Sequence, residues 1–344
     1  MHKCLIALPL AALLAGCGGN GSGQADGPQI KIVGSSTVYP FTTAIAESFQ
    51  RARPGTSVIV ESTGTGAGIK LFCGGVGETF PDMVNASRQM KASEYADCAK
   101  AGARQIIEIP IGIDGLTMIE AVSAQPLKLT VRDIYAALAA NPFGKPNTAT
   151  TWQDVNPALP ALKIRVLGPP PTSGTRDSLA ELILDKGCNS DPTMKALKDS
   201  DKDKHKDICT KIREDGVFVE AGENDNLLVQ KVSADPGTLG VLGYSFLDAN
   251  ADKIRAVEIG GVMPTEATIS DLSYPGARKL YVYAKGEHIA AKPAIRDFIA
   301  AYAREWSKGG SLEKRGLVPF AAADLAAAND QAAKLAPLDP AGLK

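Results

Sequence analysis

Short apolar runs alternate along this chain with segments whose apolar residues recur every three or four positions. Residues 29–33 and 57–61 are apolar enough for buried strands, and Phe41, Ile45 and Phe49 mark one face of a helix between them. Further strands are predicted at 163–167, 238–246 and 279–284. Such alternation predicts an α/β fold, and a chain of 344 residues is long enough for two domains.

Two local features are predicted between residues 179 and 211. Leu179, Leu182 and Ile183 mark one face of a helix, which Gly187 is expected to end in a left-handed cap. Residues 191–211 are dense in Lys and Asp and hold few apolar residues. We therefore expect a solvated excursion in this region, held at its base by a disulfide.

The first 28 residues are predicted to lie outside the fold. Residues 1–16 are typical of an export signal, because Lys3 precedes an apolar run that is too short to span a bilayer of about 30 Å. This run ends in Leu-Leu-Ala-Gly-Cys, which resembles a bacterial lipobox, so Cys17 is the expected lipid attachment site. An ordinary signal peptide with a chance cysteine is the alternative. Residues 17–28 are rich in Gly and predict a flexible tether.

Four cysteines lie beyond position 17, at Cys73, Cys98, Cys188 and Cys209. An even number in an exported chain indicates disulfides, and four cysteines allow three pairings. We favour Cys73–Cys98 and Cys188–Cys209, since each closes a local loop. A zinc site is not favoured, because the close CxxC pairs of such sites are missing. We expect no metal and no other cofactor.

Composition argues against several classes of function. The formal net charge is −1, so no basic footprint for nucleic acid is present. No second apolar segment approaches membrane-spanning length, and we expect membrane contact only through the lipid anchor. A GxSxG elbow is missing, and a nucleophile at Ser36 or Ser173 has no obvious base. We therefore expect a protein that is not an enzyme.

Three segments rich in Ser, Thr and Gly each lie between a predicted strand and a helix, at 34–40, 62–68 and 171–177. A helix start presents unpaired N–H groups and the positive end of the helix dipole, and hydroxyls add donors, so each segment suits a phosphate-like anion. Helix capping is the alternative for any one of them. Because ligands of open α/β sheets gather at the carboxyl ends of strands, we expect the three to converge. Arg88 and Arg176 are expected to add charged, planar donors.

At these loops the chain resembles the PstS-like phosphate-binding proteins of bacterial phosphate ABC importers. The matching stretches are GSSTVYPFTTAIAESF (34–49), ESTGTGAGIKLFCGG (61–75), PDMVNASRQM (81–90), TSGTRD (172–177) and GVLGYSFL (240–247). The resemblance implies a periplasmic-binding-protein fold of type II, in which two α/β lobes are joined by two hinge crossings with the ligand cleft between them. Lobe 1 would comprise residues 29–111 plus about 260–330, and lobe 2 residues 112–259.

The resemblance also implies a set of ligand-binding residues, with two departures from the family pattern. Arg88 stands where better-known members carry an aspartate that accepts the proton of hydrogen phosphate, and prolines at 169–171 replace an arginine and an aspartate. We therefore expect phosphate to be bound through a different charge arrangement. The implied ligand set is Ser36, Thr37, Thr65, Ser87, Arg88, Ser173, Gly174, Thr175 and Arg176.

By this resemblance the protein is expected to be a monomeric receptor in the periplasm or cell envelope. It would capture inorganic phosphate by closing its lobes and would deliver the anion to the permease subunits of an ABC importer. Three alternatives stay open at this point. They are a receptor for another oxyanion such as sulfate or molybdate, a secreted phosphate-ester hydrolase, and a surface lipoprotein that has kept the fold for adhesion or signalling.

Overall fold

The structure is a computed structural model that describes residues 29–171, 173–222 and 224–343. The predicted signal peptide at 1–16, lipid attachment at Cys17 and tether at 17–28 fall outside these ranges. Across the described residues, no helix has both the length and the apolar character needed to cross a membrane.

A mixed sheet runs through the described residues. Its order is β2-β1-β3-β11-β4-β8-β6-β7, with β9 also paired to β4, and β5 and β10 form a separate pair. The strands are β1 Gln29–Gly34, β2 Ser57–Ser62, β3 Met83–Ala86, β4 Ile106–Ala121, β5 Lys128–Leu129, β6 Val166–Gly168, β7 Phe218–Glu220, β8 Leu239–Gly243, β9 Ile254–Ala256, β10 Glu258–Ile259 and β11 Ala277–Lys285.

One long strand is shared by the two halves of this sheet. In the first half, β1 is parallel to β2 and β3, and β11 is antiparallel to β3. In the second half, β6 is parallel to β7 and β8. β4 is antiparallel to β11 in the first half and to β8 and β9 in the second. Leu280 pairs with Gly112 and Tyr281 with Pro110, so Ile111 bulges out of the ladder between them.

Helices pack on the faces of this sheet. The predicted apolar face of α1 is confirmed, since Phe41, Ile45 and Phe49 are all buried, and Phe49 meets Phe298 of α14 edge to face with ring centroids 5.4 Å apart. The helices are α1 Tyr39–Ala52, α2 Thr65–Phe72, α3 Ala92–Lys100, α4 Val131–Leu138, α5 Trp152–Val155, α6 Gly174–Ser178, α7 Asp185–Cys188, α8 Pro192–Ser200, α9 Lys202–Thr210, α10 Asp225–Ala234, α11 Tyr244–Ala249, α12 Glu266–Ser270, α13 Gly286–Ala291, α14 Ala294–Ala303 and α15 Ala322–Lys334.

Two disulfides confirm the sequential pairing of the four cysteines. One joins Cys73, just after α2, to Cys98 in α3. The other joins Cys188, at the end of α7, to Cys209 in α9. The charged excursion at 191–211 is thus held at its base as predicted, and within it the chain forms α8 and α9.

Two predictions of local structure in the second half of the sheet are wrong in part. Strand β6 begins at Val166, because the Ile164 N–H donates to the Thr150 carbonyl at 2.9 Å and ties this backbone to a neighbouring segment. Strand β8 ends at Gly243, and the predicted continuation to residue 246 is instead the start of α11.

Gly187 does not end its helix, contrary to the prediction. A π-helical segment, Leu179–Leu184, continues α6 into α7, and Gly187 lies inside α7. A Cβ at position 187 would lie 2.2 Å from the Val131 carbonyl oxygen. Glycine is needed there because α7 and α4 approach closely, and its freedom to adopt a left-handed conformation is not used.

Asp82 is a fully buried carboxylate near the start of β3. It accepts hydrogen bonds from the Lys31 N–H at 2.8 Å, from His288 Nδ1 at 2.7 Å and from Lys292 Nζ at 3.0 Å. Burial alone would raise the pKa of Asp82, but these hydrogen bonds and the charge of Lys292 outweigh burial and hold the pKa below its ordinary value of 3.8. The ionised carboxylate therefore ties β1 to α13.

Candidate functional site

The first loop leaves β1 at Gly34 and enters α1 at Tyr39. Gly34 has φ of +126°, and a Cβ there would lie 2.2 Å from the Asn85 carbonyl oxygen, so only glycine fits. The Ser35 N–H donates to that carbonyl at 2.9 Å. The next two residues of the turn, Ser36 and Thr37, carry hydroxyls that reach other parts of the chain.

The second loop packs directly on the first. A Cβ at Gly68 would lie 2.4 Å from the Gly34 Cα, so two glycines allow the contact. Thr65 begins α2, and its hydroxyl lies 2.9 Å from the Ser87 hydroxyl. The Ser87 N–H donates to Thr65 Oγ1 at 3.1 Å. Ser87 follows β3, so this bond joins the predicted ligand residues at 65 and 87.

The third loop comes from the second half of the sheet and meets the first loop. Ser173 caps α6, since its hydroxyl oxygen accepts the Thr175 N–H at 3.2 Å. The Thr37 hydroxyl donates to the Gly174 carbonyl at 3.2 Å, and the Ser36 hydroxyl donates to the carboxylate of Asp177. The structure therefore brings the three predicted loops together.

Arg278, in β11, joins these loops to both halves of the sheet. The side chain is 9% exposed. Its Nη2 donates to Thr37 Oγ1 at 3.0 Å and to Ser178 Oγ at 2.7 Å, and its Nε donates to Asp114 of β4 at 3.1 Å. Its Nη1 donates to the carboxylate of Glu181. A fixed guanidinium of this kind presents planar, charged donors, which suit an oxyanion.

The two arginines predicted to bind the ligand have other partners. Arg88 forms a two-pronged ion pair with Glu94, with bonds of 2.7 and 2.9 Å. Arg176 donates to the Pro169 carbonyl at 3.1 Å, and its guanidinium carbon lies 4.3 Å from the centre of the Phe218 ring. The structure thus places Arg278, and neither Arg88 nor Arg176, in hydrogen-bond contact with the first loop.

Besides Arg278, the structure brings to these loops three carboxylates that the sequence did not single out. Asp114, Asp177 and Glu181 all lie within hydrogen-bond reach of the loop hydroxyls or of Arg278. Burial raises the pKa of Asp177 against the opposing hydrogen bond from Ser36, and the charge of Glu181 acts in the same direction as burial. Asp177 therefore holds a proton more readily than an ordinary aspartate does.

A cleft of about 640 Å³ opens beside the loops. The residues that line it include Ser87, Arg88, Glu181, Leu182, Arg278 and Tyr281. Ser87 and Arg278 thus supply a hydroxyl and a guanidinium to the cleft, and donors of this kind can bind an oxyanion.

The described residues give less support to a metal site or to a serine nucleophile with a histidine base. Cys188, His205 and Cys209 place their ligand atoms within 4.8 Å of one another, but the two sulfurs form a disulfide, so only the imidazole is free to bind a metal. His288 is bonded to Asp82, and His205 lies 2.8 Å from the Asn189 side chain. Neither imidazole is a hydrogen-bond partner of Ser36 or Ser173.

The chain is similar to known proteins in both its sequence and its structure. Residues 19–305 match the family model of the PBP superfamily domain. Protein SphX of Synechococcus elongatus is 32% identical over 341 residues, which cover 96% of this chain and 89% of that protein. The phosphate-binding protein PstS of Staphylococcus saprophyticus is 30% identical over 328 residues, or 91% and 87% of the two chains. The crystal structure of a possible phosphate binding protein from Planctomyces limnophilus has a TM-score of 0.71 at 28% identity, covering 90% and 99%.

Proposed function

Because this chain belongs to the PstS-like proteins of the PBP superfamily, we propose that it is an extracytoplasmic receptor that captures inorganic phosphate for an ABC importer. The fold is that of a type II periplasmic binding protein. The observation that carries the proposal is the meeting of three strand-to-helix loops, with Thr37 of the first loop bonded to both Gly174 of the third loop and the buried Arg278.

In the proposed binding mode, hydroxyl and N–H groups from both halves of the sheet surround the anion. Arg278 supplies the positive charge that the resemblance had led us to seek in Arg88 and Arg176. Each hydrogen bond to a charged group is worth about 1.5–3 kcal/mol net, and micromolar affinity requires about 8 kcal/mol. A handful of donors is therefore sufficient. The donors are Ser36, Thr37, Thr65, Ser87, Ser173, Gly174 and Thr175.

Asp177 takes the role of proton acceptor in this proposal. Hydrogen phosphate carries a proton that a carboxylate can accept, whereas sulfate carries none at neutral pH and would leave two negative groups facing each other without a proton between them. Burial is the chief cause of the raised pKa of Asp177, and this raised pKa favours sharing of the proton between the carboxylate and the hydrogen phosphate. This carboxylate would replace the aspartate whose family position is occupied by Arg88.

Titration calorimetry with phosphate, sulfate and arsenate tests the ligand assignment. We expect phosphate to bind at micromolar concentration or below and to compete with arsenate, with sulfate at least a hundredfold weaker. Ser87→Ala should weaken phosphate binding at least tenfold. Ser48→Ala is the matched control, because its hydroxyl bonds only to the Ile45 carbonyl in α1. Tight sulfate binding without a phosphate signal would sink the assignment.

The division of the chain into two lobes belongs to the same proposal. Lobe 1 would consist of residues 29–111 plus about 260–330 and lobe 2 of residues 112–259, with one crossing in β4 and the return between residues 255 and 281. Closure of the lobes around phosphate should reduce the radius of gyration in small-angle scattering. An unchanged radius and melting temperature on adding phosphate would count against capture by closure.

Placement in the cell envelope as a monomer anchored through Cys17 completes the proposal. Cys17→Ser should release the protein from the membrane fraction, and retention of the variant there would refute the anchor. A phosphate-ester hydrolase would instead turn over a chromogenic ester and lose that turnover in Ser36→Ala or Ser173→Ala. We expect binding of phosphate without turnover.

A further inference from the structure

Glu181 occupies donors that an oxyanion would use. Its carboxylate accepts a hydrogen bond from Ser87 Oγ at 3.3 Å and another from Nη1 of Arg278. Ser87 follows β3 and Arg278 lies in β11, both in the first half of the sheet, whereas Glu181 lies in the helical segment Leu179–Leu184 of the second half. A single oxygen of this carboxylate, Oε2, accepts both bonds and thus bridges the two sides of the cleft, where it resembles one oxygen of a bound anion.

The surroundings make Glu181 the mobile partner of this contact. Its side chain is 52% exposed, whereas that of Arg278 is 9% exposed. Arg278 is also fixed by Asp114 and Ser178, at 3.1 and 2.7 Å. Glu181 can therefore turn into the cleft of about 640 Å³ and regain water at little cost, while the guanidinium stays in place.

We propose that Glu181 is a tethered competitor of the ligand, so that anion binding at Arg278 and Ser87 is an exchange reaction. The inference rests on the proposed function, whose ligand it concerns. A monoanion that displaces Glu181 replaces one carboxylate-like charge by another and gains little. Hydrogen phosphate brings a second charge and further oxygens for the other loop donors, so it gains from the exchange. Glu181 accordingly lowers the affinity for every anion by the same factor, so that weakly bound monoanions no longer occupy the site.

Calorimetry on Glu181→Gln and Glu181→Ala tests this role. Both variants should bind phosphate about three- to tenfold more tightly than the unmodified protein, because an exposed ion pair and one hydrogen bond no longer have to be displaced. The monoanions formate and nitrate should gain by about the same factor, because each of them must displace the same carboxylate. The Glu181→Ala variant serves as a control because the amide of Glu181→Gln can itself donate a hydrogen bond to the anion, whereas alanine cannot.

Asp185→Asn is the matched control for long-range charge. Asp185 lines the same cleft about one helical turn later and pairs with Lys198 at 2.6 Å, but it is bonded to neither Ser87 nor Arg278. If the whole charge of the cleft decides affinity, Asp185→Asn will tighten binding as much as Glu181→Gln. If direct competition decides it, Asp185→Asn will leave the affinity within about twofold of the unmodified protein.

A second readout separates competition from a merely structural role. Without phosphate, Glu181→Ala should keep the radius of gyration of the unmodified protein in small-angle scattering, because Thr37–Gly174 and Arg278–Ser178 still join the two sides of the cleft. A larger radius would indicate a structural role and count against competition. Unchanged or weaker phosphate binding in both Glu181 variants would overturn the inference and leave the proposed function standing. No phosphate binding by the unmodified protein would instead overturn the proposed function.

Discussion

Gly174→Ala should weaken phosphate binding at least a hundredfold, because a methyl group at this position would collide with the first loop. A Cβ there would lie 2.5 Å from the Thr37 Cα, 2.8 Å from the Thr37 nitrogen and 2.9 Å from the Ser36 carbonyl oxygen. Non-bonded carbon atoms pack at about 3.5–4.0 Å. All three atoms belong to the backbone, so the loops must separate by about 1 Å to accommodate the methyl group.

That separation determines the size of the effect. The Thr37 hydroxyl is 3.2 Å from the Gly174 carbonyl, so an added shift of about 1 Å breaks this bond. An anion held between the loops would lose about two donors, each worth about 1.5–3 kcal/mol. The loss of about 3–6 kcal/mol corresponds to a hundred- to ten-thousandfold rise in Kd, since about 1.4 kcal/mol is tenfold.

Phosphate titration calorimetry, paired with thermal unfolding in the absence of phosphate, measures the effect. Gly243→Ala is the matched control, because a Cβ at that position meets no atom within 4 Å. Because the methyl group meets backbone atoms, Gly174→Ala should also lower the melting temperature, and the titration is run well below the unfolding transition of the variant. Phosphate affinity within threefold of the unmodified protein would refute the contact between the first and third loops.

Three further predictions concern other parts of the molecule. Arg278→Lys should weaken phosphate binding at least tenfold in calorimetry, because lysine lacks the planar fork, whereas Arg88→Lys should change it less than threefold. Asp82→Asn should lower the free energy of unfolding by about 3 kcal/mol at pH 7. The three donors of Asp82 outweigh burial and hold its pKa below 3.8. In acid unfolding the stability difference between the two proteins should therefore be complete above pH 3.8 and disappear as the pH falls through the lower pKa of the folded state. Replacing Cys188 and Cys209 together by serine should cost about 3 kcal/mol in urea unfolding, since the bond closes a loop with a separation of 21 residues; a loss below 1 kcal/mol would contradict the loop-entropy argument.

Much of the fold could be predicted because burial leaves a periodic trace in the sequence. The alternation at 29–33 and the spacing of Phe41, Ile45 and Phe49 both mark faces that the structure buries. The predictions failed where a distant contact decides local structure. Residues 163–165 (Lys-Ile-Arg) lead into the apolar pair Val166–Leu167 and were predicted to start a strand, yet the Ile164 N–H donates to the Thr150 carbonyl. Gly187 is required by the approach of another helix, which no local pattern records.

Part of the candidate site could likewise be predicted from the sequence, and part of it could not. Ser, Thr and Gly at strand-to-helix junctions could be found from the sequence, because each loop carries its own signal. Arg278 could not, since a charged residue in a strand is ordinarily solvated, and it is 164 positions from Asp114 and 241 from Thr37. Arg88 was favoured for its place in a motif, but Glu94, six residues later, takes its charge. Only the fold places Arg278, which also pairs with Asp114 and Glu181, against the first loop.

The bulge at Ile111 has a consequence for the kinetics of binding. β4 runs from one half of the sheet to the other, and β11 pairs with its first part as far as Gly115, so a rotation of one half against the other bends β4 where this pairing ends, a few residues from the bulge. Asp114 and Arg278 are paired on these two strands close to that bend, and atoms near a rotation axis move least. In the proposed closure the Arg278 guanidinium therefore keeps its position while the loops move towards the anion. Salt should then slow the association of phosphate, whereas the loops set the time for which it stays bound.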